Sequence, residues 1–217
     1  MEELKRVERG LKQIVQDLIP RINPRILEAI EYSLFPAGKR IRPLLCIQAY
    51  ESVGGKGDVI IPYACCLELI HTASLIKDDL PCMDNHSTRR DKPTTWKVFG
   101  ESTAMLAADL ISSEAYRILS TAPNRAILTE ILNTVLNMSN GQELDVRGIK
   151  STEVNRLKTA TLFETCFAIG GMVAGATPEQ LSDLRNKGLS FGMDFQLKDD
   201  TMDKDGLYAV SAGSLVA

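Results

Sequence analysis

The 217-residue sequence contains no run of about 20 apolar residues, and its mean hydropathy is close to zero. No segment is therefore long and apolar enough to span a bilayer as a helix. Runs of basic residues are also absent, and 25 Lys+Arg against 28 Asp+Glu leave a net charge of −3. That balance argues against a nucleic-acid surface. The opening Met1-Glu2-Glu3-Leu4-Lys5-Arg6 has neither the apolar core of a secretory signal nor the Ser-rich, acid-poor character of a transit peptide, so a cytoplasmic location is expected. There is no C-x-x-C pair. The five cysteines (Cys46, Cys65, Cys66, Cys82, Cys166) lie in apolar stretches and read as small core hydrophobes of a reducing compartment. Strand-type alternation never persists beyond a few residues, and neither an internal repeat nor a low-complexity linker is present.

What is present is helical periodicity. Leu4, Val7, Leu11, Ile14, Val15 and Leu18 recur at threes and fours and predict a first helix with one buried stripe, closed by Pro20 and Pro24. Ile26, Leu27, Ile30 and Leu34 predict a second. The turn Pro36-Ala37-Gly38-Lys39-Arg40-Ile41-Arg42-Pro43 presents three cations in four residues, and a helix follows from about Leu44 to Val53, ended by Gly54-Gly55. A largely apolar helix is expected over about 59–80, with others at about 101–120, 124–139, 153–174 and 178–203. Thr177-Pro178 opens the last, with Gln180 in capping-box position. The expected fold class is all-α, one domain over residues 1–217.

Two acidic clusters end strongly apolar helices: Asp78-Asp79-Leu80-Pro81-Cys82-Met83-Asp84 and Asp199-Asp200-Thr201-Met202-Asp203. Helical spacing puts Asp199, Asp200, Asp203 and Gln196 on one face. Asp84 shares the face of Asp78 if the chain bulges at Pro81. Clustered carboxylates repel one another unless cations neutralise them, and oxygen-only donors favour a hard ion such as magnesium, which commonly takes one or two carboxylates plus water and phosphate oxygens. Lys39, Arg42, Arg89, Arg90 and Lys158-Thr159 supply the matching cations and a hydroxyl. Together these residues describe a site for two polyanionic groups, one bridged by metal and one held directly by Lys and Arg. His71 lies two helical turns before Asp78 and points toward the same cavity.

These segments resemble the trans-prenyltransferases, or polyprenyl diphosphate synthases, of the isoprenoid-synthase fold. Gly38 to Pro43 is similar to the family's GKRxRP turn, and Asp78 to Asp84 to its first aspartate-rich motif in the longer DDxxxxD form. Arg89 to Thr94 resembles RRGKPT, Gly141 to Asp145 resembles GQxxD, Lys158-Thr159 the KT pair, and Phe195 to Asp203 the FQxxDDxxD second motif. The resemblance implies antiparallel helices around a central apolar cavity and head-to-tail condensation of isopentenyl diphosphate with an allylic diphosphate. It would place Lys39, Arg42, His71 and Arg90 on isopentenyl diphosphate, and Arg89, Lys158, Thr159 and Gln196 around the allylic diphosphate. Asp78 and Asp84, with Asp79 beside them, would hold two of about three magnesium ions, and Asp199, supported by Asp200 and Asp203, the third. A homodimer is implied in the same way.

Product length is read from Ala73, five residues and about 7.5 Å along the axis before Asp78. With Ser74 it leaves the shaft open, which favours geranylgeranyl diphosphate over farnesyl diphosphate. Lys77, His86, Ser87 and Asp91 depart from the family pattern without removing a named ligand. The segment between Asp145 and Lys158 is shorter than usual, and Lys204 to Ala217 matches nothing in the family, so the last C-terminal helices are expected to be missing. A non-catalytic partner subunit and a class I terpene cyclase are the alternatives. Intact Asp ligands count against the first, and Lys39, Arg42 and Arg90 against the second.

Overall fold

The computed structural model describes residues 2–35 and 38–205, with side chains through Phe195. Ten α-helices and one two-stranded ribbon make up the described residues, in agreement with an all-α fold. Helix α1 (Glu2–Leu18) buries Val7, Leu11, Val15 and Leu18 of the stripe read from the sequence, with Ile14 partly buried against the core, whereas Leu4, in the first turn, is exposed. Helix α2 (Pro24–Leu34) starts where Asn23 accepts the Arg25 N–H at 2.9 Å and Pro24 takes the first helical position. Helix α3 (Ile41–Ser52) follows the cationic turn.

The centre is α4 (Ile61–Asp78), buried around most of its circumference and packed by α6, α3, α1, α9 and α2. A helix apolar on every side must be surrounded by protein, and this burial holds the acidic residues at its C-terminal end in place. An antiparallel ribbon, β1 (Thr88–Arg89) and β2 (Lys92–Pro93), pairs Arg89 with Lys92, and α5 (Thr95–Phe99) comes next. Two long helices follow, α6 (Glu101–Ser120) and α7 (Ala126–Val146). Helix α8 (Thr152–Asn155) runs through one π-helical turn, Arg156–Ala160, into α9 (Thr161–Ala174). Helix α10 (Pro178–Asp205) opens with a full capping box: the Thr177 N–H donates to Gln180 Oε1 at 2.9 Å, and the Gln180 N–H donates to Thr177 Oγ1 at 3.3 Å. No helix of the described residues is long and apolar enough to cross a membrane.

The structure departs from the sequence reading in several places. Helix α7 continues beyond residue 139 to Val146, so the Gly141–Asp145 segment is helical. The ribbon at 88–93 and α5 were not expected, because strands of two residues display no alternation. Cys46, Cys65, Cys66 and Cys166 are buried as expected, whereas Cys82 is exposed, on the bulge that follows α4. Arg40, grouped with Lys39 and Arg42, is buried, with its side chain 1% exposed.

Candidate active site

A cavity of about 1620 Å³ opens between α4, α6, α7 and α9, with the Gly38–Arg42 turn and the β1–β2 ribbon at its rim. Its two charged ends are built by different devices. At the cationic end, Lys39, Arg42, His71 and Arg90 all line the wall. The Arg42 guanidinium lies 4.4 Å from the ring centre of Phe163, and its Nη1 donates to His71 Nε2 at 3.1 Å. Burial, then the charges of Arg42, Arg90, Arg89 and Arg40, push His71 far below the usual histidine range. The imidazole is therefore neutral, and the bond to Arg42 makes Nε2 the acceptor and leaves Nδ1–H as a donor.

Arg90 reaches this end through the ribbon turn. Arg90 and Asp91 have φ of 53° and 60°, the two left-handed positions of a type I′ hairpin. Asp tolerates that conformation, which explains how Asp91 stands where the family pattern has Gly. The Arg90 guanidinium lies against the Cα of Gly38, where a Cβ would fall 2.7 Å from its Nη1. A side chain at Gly38 would therefore push the Arg90 guanidinium out of this position.

At the anionic end, the bulge forms as the first cluster requires: the Asp84 N–H donates to the Asp78 carbonyl at 2.9 Å, and the Asn85 N–H to that of Leu80 at 3.1 Å. Asp78 and Asp84 are close enough that the Asp84 charge acts on the Asp78 carboxyl. Burial foremost raises Asp78 from 3.8 to about 6; Asp84 and Asp79 push the same way, and Lys158 and Arg89 oppose. Asp79 faces differently. It is buried and accepts a fork from Arg89, Nε at 3.0 Å and Nη2 at 2.8 Å, and it lines a neighbouring cavity of about 250 Å³. Two residues assigned from sequence to a metal and to a diphosphate thus hold each other here.

The remaining motifs converge on Lys158. Its Nζ lies 2.6 Å from Asp145 Oδ2 and 3.9 Å from Asp84 Oδ2. Helix α7 approaches the π-turn so closely that a Cβ on Gly141 would sit 2.5 Å from the Lys158 backbone nitrogen. Gln142 Nε2 is 3.5 Å from Asp84 Oδ1, and its Oε1 is buried without a partner among the described residues. Burial would raise Asp145, but Lys150 and Lys158 hold it below the usual carboxylate range. Asp145 and Gln142 carry no role in the sequence reading; their membership of one short motif, GQxxD, was the available signal. Thr159 lines the same wall. The side chains of Gln196, Asp199, Asp200 and Asp203 lie outside the described residues, although α10 extends through all four positions.

The cavity wall also includes Ala73 and Ser74 of α4, Ser112, Ser113 and Tyr116 of α6, and Val135 of α7. Along α4 the lining runs from Glu68 to Asp78, about 15 Å along the axis. Among the described residues no three ligating side chains gather around a single point. Asp78 on the cavity wall, with Asp84 near enough for its charge to act on it, fits magnesium, which completes its shell with water and phosphate oxygens.

Residues 23–210 match the family model described as polyprenyl synthetase. A chloroplastic geranylgeranyl pyrophosphate synthase of Catharanthus roseus is 41% identical over 196 residues, covering 82% of this chain and 55% of that protein. The chloroplastic heterodimeric geranylgeranyl pyrophosphate synthase large subunit 1 of Arabidopsis thaliana is 39% identical over 215 residues, covering 89% and 58%. The chain thus spans about half the length of the curated relatives it matches. Among solved structures, a geranyltranstransferase of Thermotoga maritima superposes with a TM-score of 0.86 at 32% identity, covering 95% of this chain and 80% of that one. An isoprenoid synthase family member of Thermotoga neapolitana gives 0.87 at 30% identity, covering 95% and 82%.

Proposed function

We propose that this chain, which belongs to the polyprenyl synthetase family, is a prenyltransferase that joins isopentenyl diphosphate head-to-tail to an allylic diphosphate. The observation that carries this reading is one cavity with two charged ends, Lys39, Arg42, Arg90 and neutral His71 at one, and Asp78, Asp84 and Lys158 at the other, above a shaft of small and apolar side chains. Two diphosphates require such a division: one is held directly by cations, the other departs and needs its growing charge balanced.

In this reading Lys39, Arg42 and Arg90 bind the diphosphate of isopentenyl diphosphate, with His71 Nδ1–H donating beside them. Lys158 and Thr159 face the allylic diphosphate. Arg89 gives Nε and Nη2 to Asp79, which leaves Nη1 for an allylic diphosphate oxygen. Asp78 and Asp84 would hold magnesium, with Asp79 supporting them through Arg89, and the family pattern assigns Asp199, Asp200, Asp203 and Gln196 to the same diphosphate from α10. Magnesium, when bound, supplies charge neutralisation of the leaving diphosphate. The allylic C–O bond breaks with its electron pair on that diphosphate, the double bond of isopentenyl diphosphate attacks the carbon left positive, and a proton leaves to the departing diphosphate. The chain's residues hold both substrates in line, and Leu162, Ala73 and Val135 keep water from the cation.

The product in this reading is geranylgeranyl diphosphate. The cavity wall beside Ala73 supports it, as do the geranylgeranyl pyrophosphate synthases of Catharanthus roseus and Arabidopsis thaliana among its relatives. The exposed Leu106 of α6 and Leu132 and Leu136 of α7 support a homodimer through that face; sedimentation equilibrium of Leu132→Glu, expected to be monomeric, tests it. We assign the enzyme to the cytoplasm, and cell fractionation of the full-length protein decides between that and the organelles named for several relatives. The reaction is tested by incubating the protein with isopentenyl diphosphate, magnesium and dimethylallyl, geranyl or farnesyl diphosphate, and reading the product by mass spectrometry. A prenyl diphosphate is expected; a released hydrocarbon or no product overturns the proposal.

A further inference from the structure

Three cations follow one another closely in the Gly38–Arg42 turn, and one of them has no reason in the chemistry above. Arg40 adopts φ 50° and ψ 35°, a left-handed conformation that a Cβ disfavours. Arg40 and Glu68 both reach the cavity wall, yet the Arg40 side chain is 1% exposed and is held from three sides: Nε donates to Glu8 Oε1 at 2.8 Å, Nη1 to Glu68 Oε1 at 2.7 Å, and Nη2 to the Leu34 carbonyl at 2.7 Å. Those partners stand on α1, α4 and the last turn of α2. Arg40 also occupies the N-cap position of α3, and Arg42 lies in the first turn of that helix.

Glu68 and His71 are three residues apart on α4, neighbours on one helix face. The Arg40–Glu68 bond and the Arg42–His71 bond are therefore two rungs of one seam between the start of α3 and the middle of α4. Moving the first rung moves the second. Because Arg40 fixes both the reversed backbone and the seam, it determines where Lys39, one residue before it, and Arg42, two residues after it, meet the cavity.

We infer that Arg40 is a positioning residue for isopentenyl diphosphate: clamped by Glu8, Glu68 and the Leu34 carbonyl, it aims Lys39 and Arg42 without touching the ligand. The inference rests on the proposed assignment of these two cations to that substrate. Removing Arg40 alone would leave the buried Glu68 carboxylate uncompensated, which endangers the fold and adds a repulsive charge near the diphosphate. The informative variant is therefore Arg40→Met/Glu68→Met, which replaces the buried pair by apolar side chains of similar length. Glu68→Gln is its control, since the amide oxygen still accepts from Arg40 Nη1.

The full-length protein is titrated calorimetrically with isopentenyl diphosphate in EDTA, where only directly held diphosphate binds, and KM for both substrates is then measured with magnesium. The double variant is expected to bind isopentenyl diphosphate about tenfold more weakly, with KM for that substrate rising in parallel, KM for the allylic substrate within about twofold and Glu68→Gln close to the parent. A cooperatively melting double variant that binds isopentenyl diphosphate like the parent overturns the inference, and so does an equal rise in both KM values. If the double variant does not melt cooperatively, Glu8→Leu, which removes only the Nε bond, takes its place: weaker binding confined to isopentenyl diphosphate supports the inference, and parental binding overturns it. A parent that binds isopentenyl diphosphate but makes no product refutes the prenyltransferase reading while the binding comparison still decides Arg40. A parent that binds none refutes both.

Discussion

In the proposed reading, a proton and a magnesium ion compete for the carboxylate oxygens of Asp78. Its carboxyl is raised from 3.8 to about 6, by burial first, with Asp84 and Asp79 adding to it and Lys158 and Arg89 opposing. At pH 5 a group titrating near 6 is protonated in about nine molecules of ten, so a metal must displace a proton and its affinity falls about tenfold relative to pH 8. The same calculation for an unperturbed carboxyl gives a loss of only about a tenth. The linkage to folding has a definite sign: the folded-state pKa is the higher one, so the contribution to stability is full below about pH 4 and is lost as pH rises through about 6, to a total of about 3 kcal/mol without metal. Carboxyl carbon shifts of Asp-labelled protein, assigned by the signal missing in Asp78→Asn, read the titration directly. Asp84→Asn is expected to lower the midpoint, and Lys158→Met to raise it. Magnesium binding can be followed by the fluorescence of Trp96, the single tryptophan, whose indole N–H donates to the His86 carbonyl at 2.9 Å in the segment after Asp84. A carboxyl midpoint near 3.8, or a magnesium affinity that changes less than about twofold between pH 8 and pH 5, would refute the reasoning.

In the proposed reading, two residues of the cavity wall predict opposite effects: Ala73→Tyr should shorten the product and Tyr116→Ala lengthen it, and unchanged chain lengths by mass spectrometry would remove both residues from the specificity argument. Gly170 holds α9 against α3, since a Cβ there would lie 2.4 Å from the Cys46 carbonyl oxygen and 2.8 Å from the Ala49 Cβ. Gly170→Ala should lower unfolding stability by about 2 kcal/mol in a denaturant titration, and an unchanged midpoint would contradict the close approach. At the ribbon turn, Asp91→Val places a β-branched residue at φ 60° and should cost about 1–2 kcal/mol, whereas Asp91→Gly should not destabilise; equal melting temperatures for the two would argue against the type I′ turn.

How much of this was legible depended on whether the determinant was local. The α1 stripe and the Thr177–Gln180 capping box are set by residues spaced within a turn of one another, and both agree with the structure apart from the exposed Leu4. The bulge between Asp78 and Asp84 was legible for the same reason, since Pro81 forces the chain out of the helix there. The end of α7 was not: Asn140 and Gly141 read locally as a stop, yet the absent side chain at Gly141 admits the Lys158 backbone, a contact between segments far apart in sequence. Spacing alone could not separate Asp79 from Asp78. Both follow an apolar helix, and only the ribbon that brings Arg89 round makes one a partner in an ion pair and leaves the other facing the cavity. The Gly38–Arg42 turn follows the same logic, because three neighbouring cations look equivalent until a left-handed backbone turns Arg40 inward.

The residues whose contacts only the packed structure shows have a common character: they hold the side chains that the proposed reading turns toward the substrates. Asp145 and Gln142 bracket Lys158 and Asp84, Arg89 pairs with Asp79, and Glu68 and Glu8 clamp Arg40. Direct ligands of a diphosphate or a hard metal are recognisable by type, because the ligand's chemistry demands carboxylates, lysines and arginines. Their supports can be of the same types, drawn from any element that packs nearby, and only the packed structure distinguishes them. A substitution at a support should therefore change the affinity or the titration of the ligand it holds while leaving the far end of the cavity untouched. Substitutions at Arg40 and Asp145 probe that rule at opposite ends.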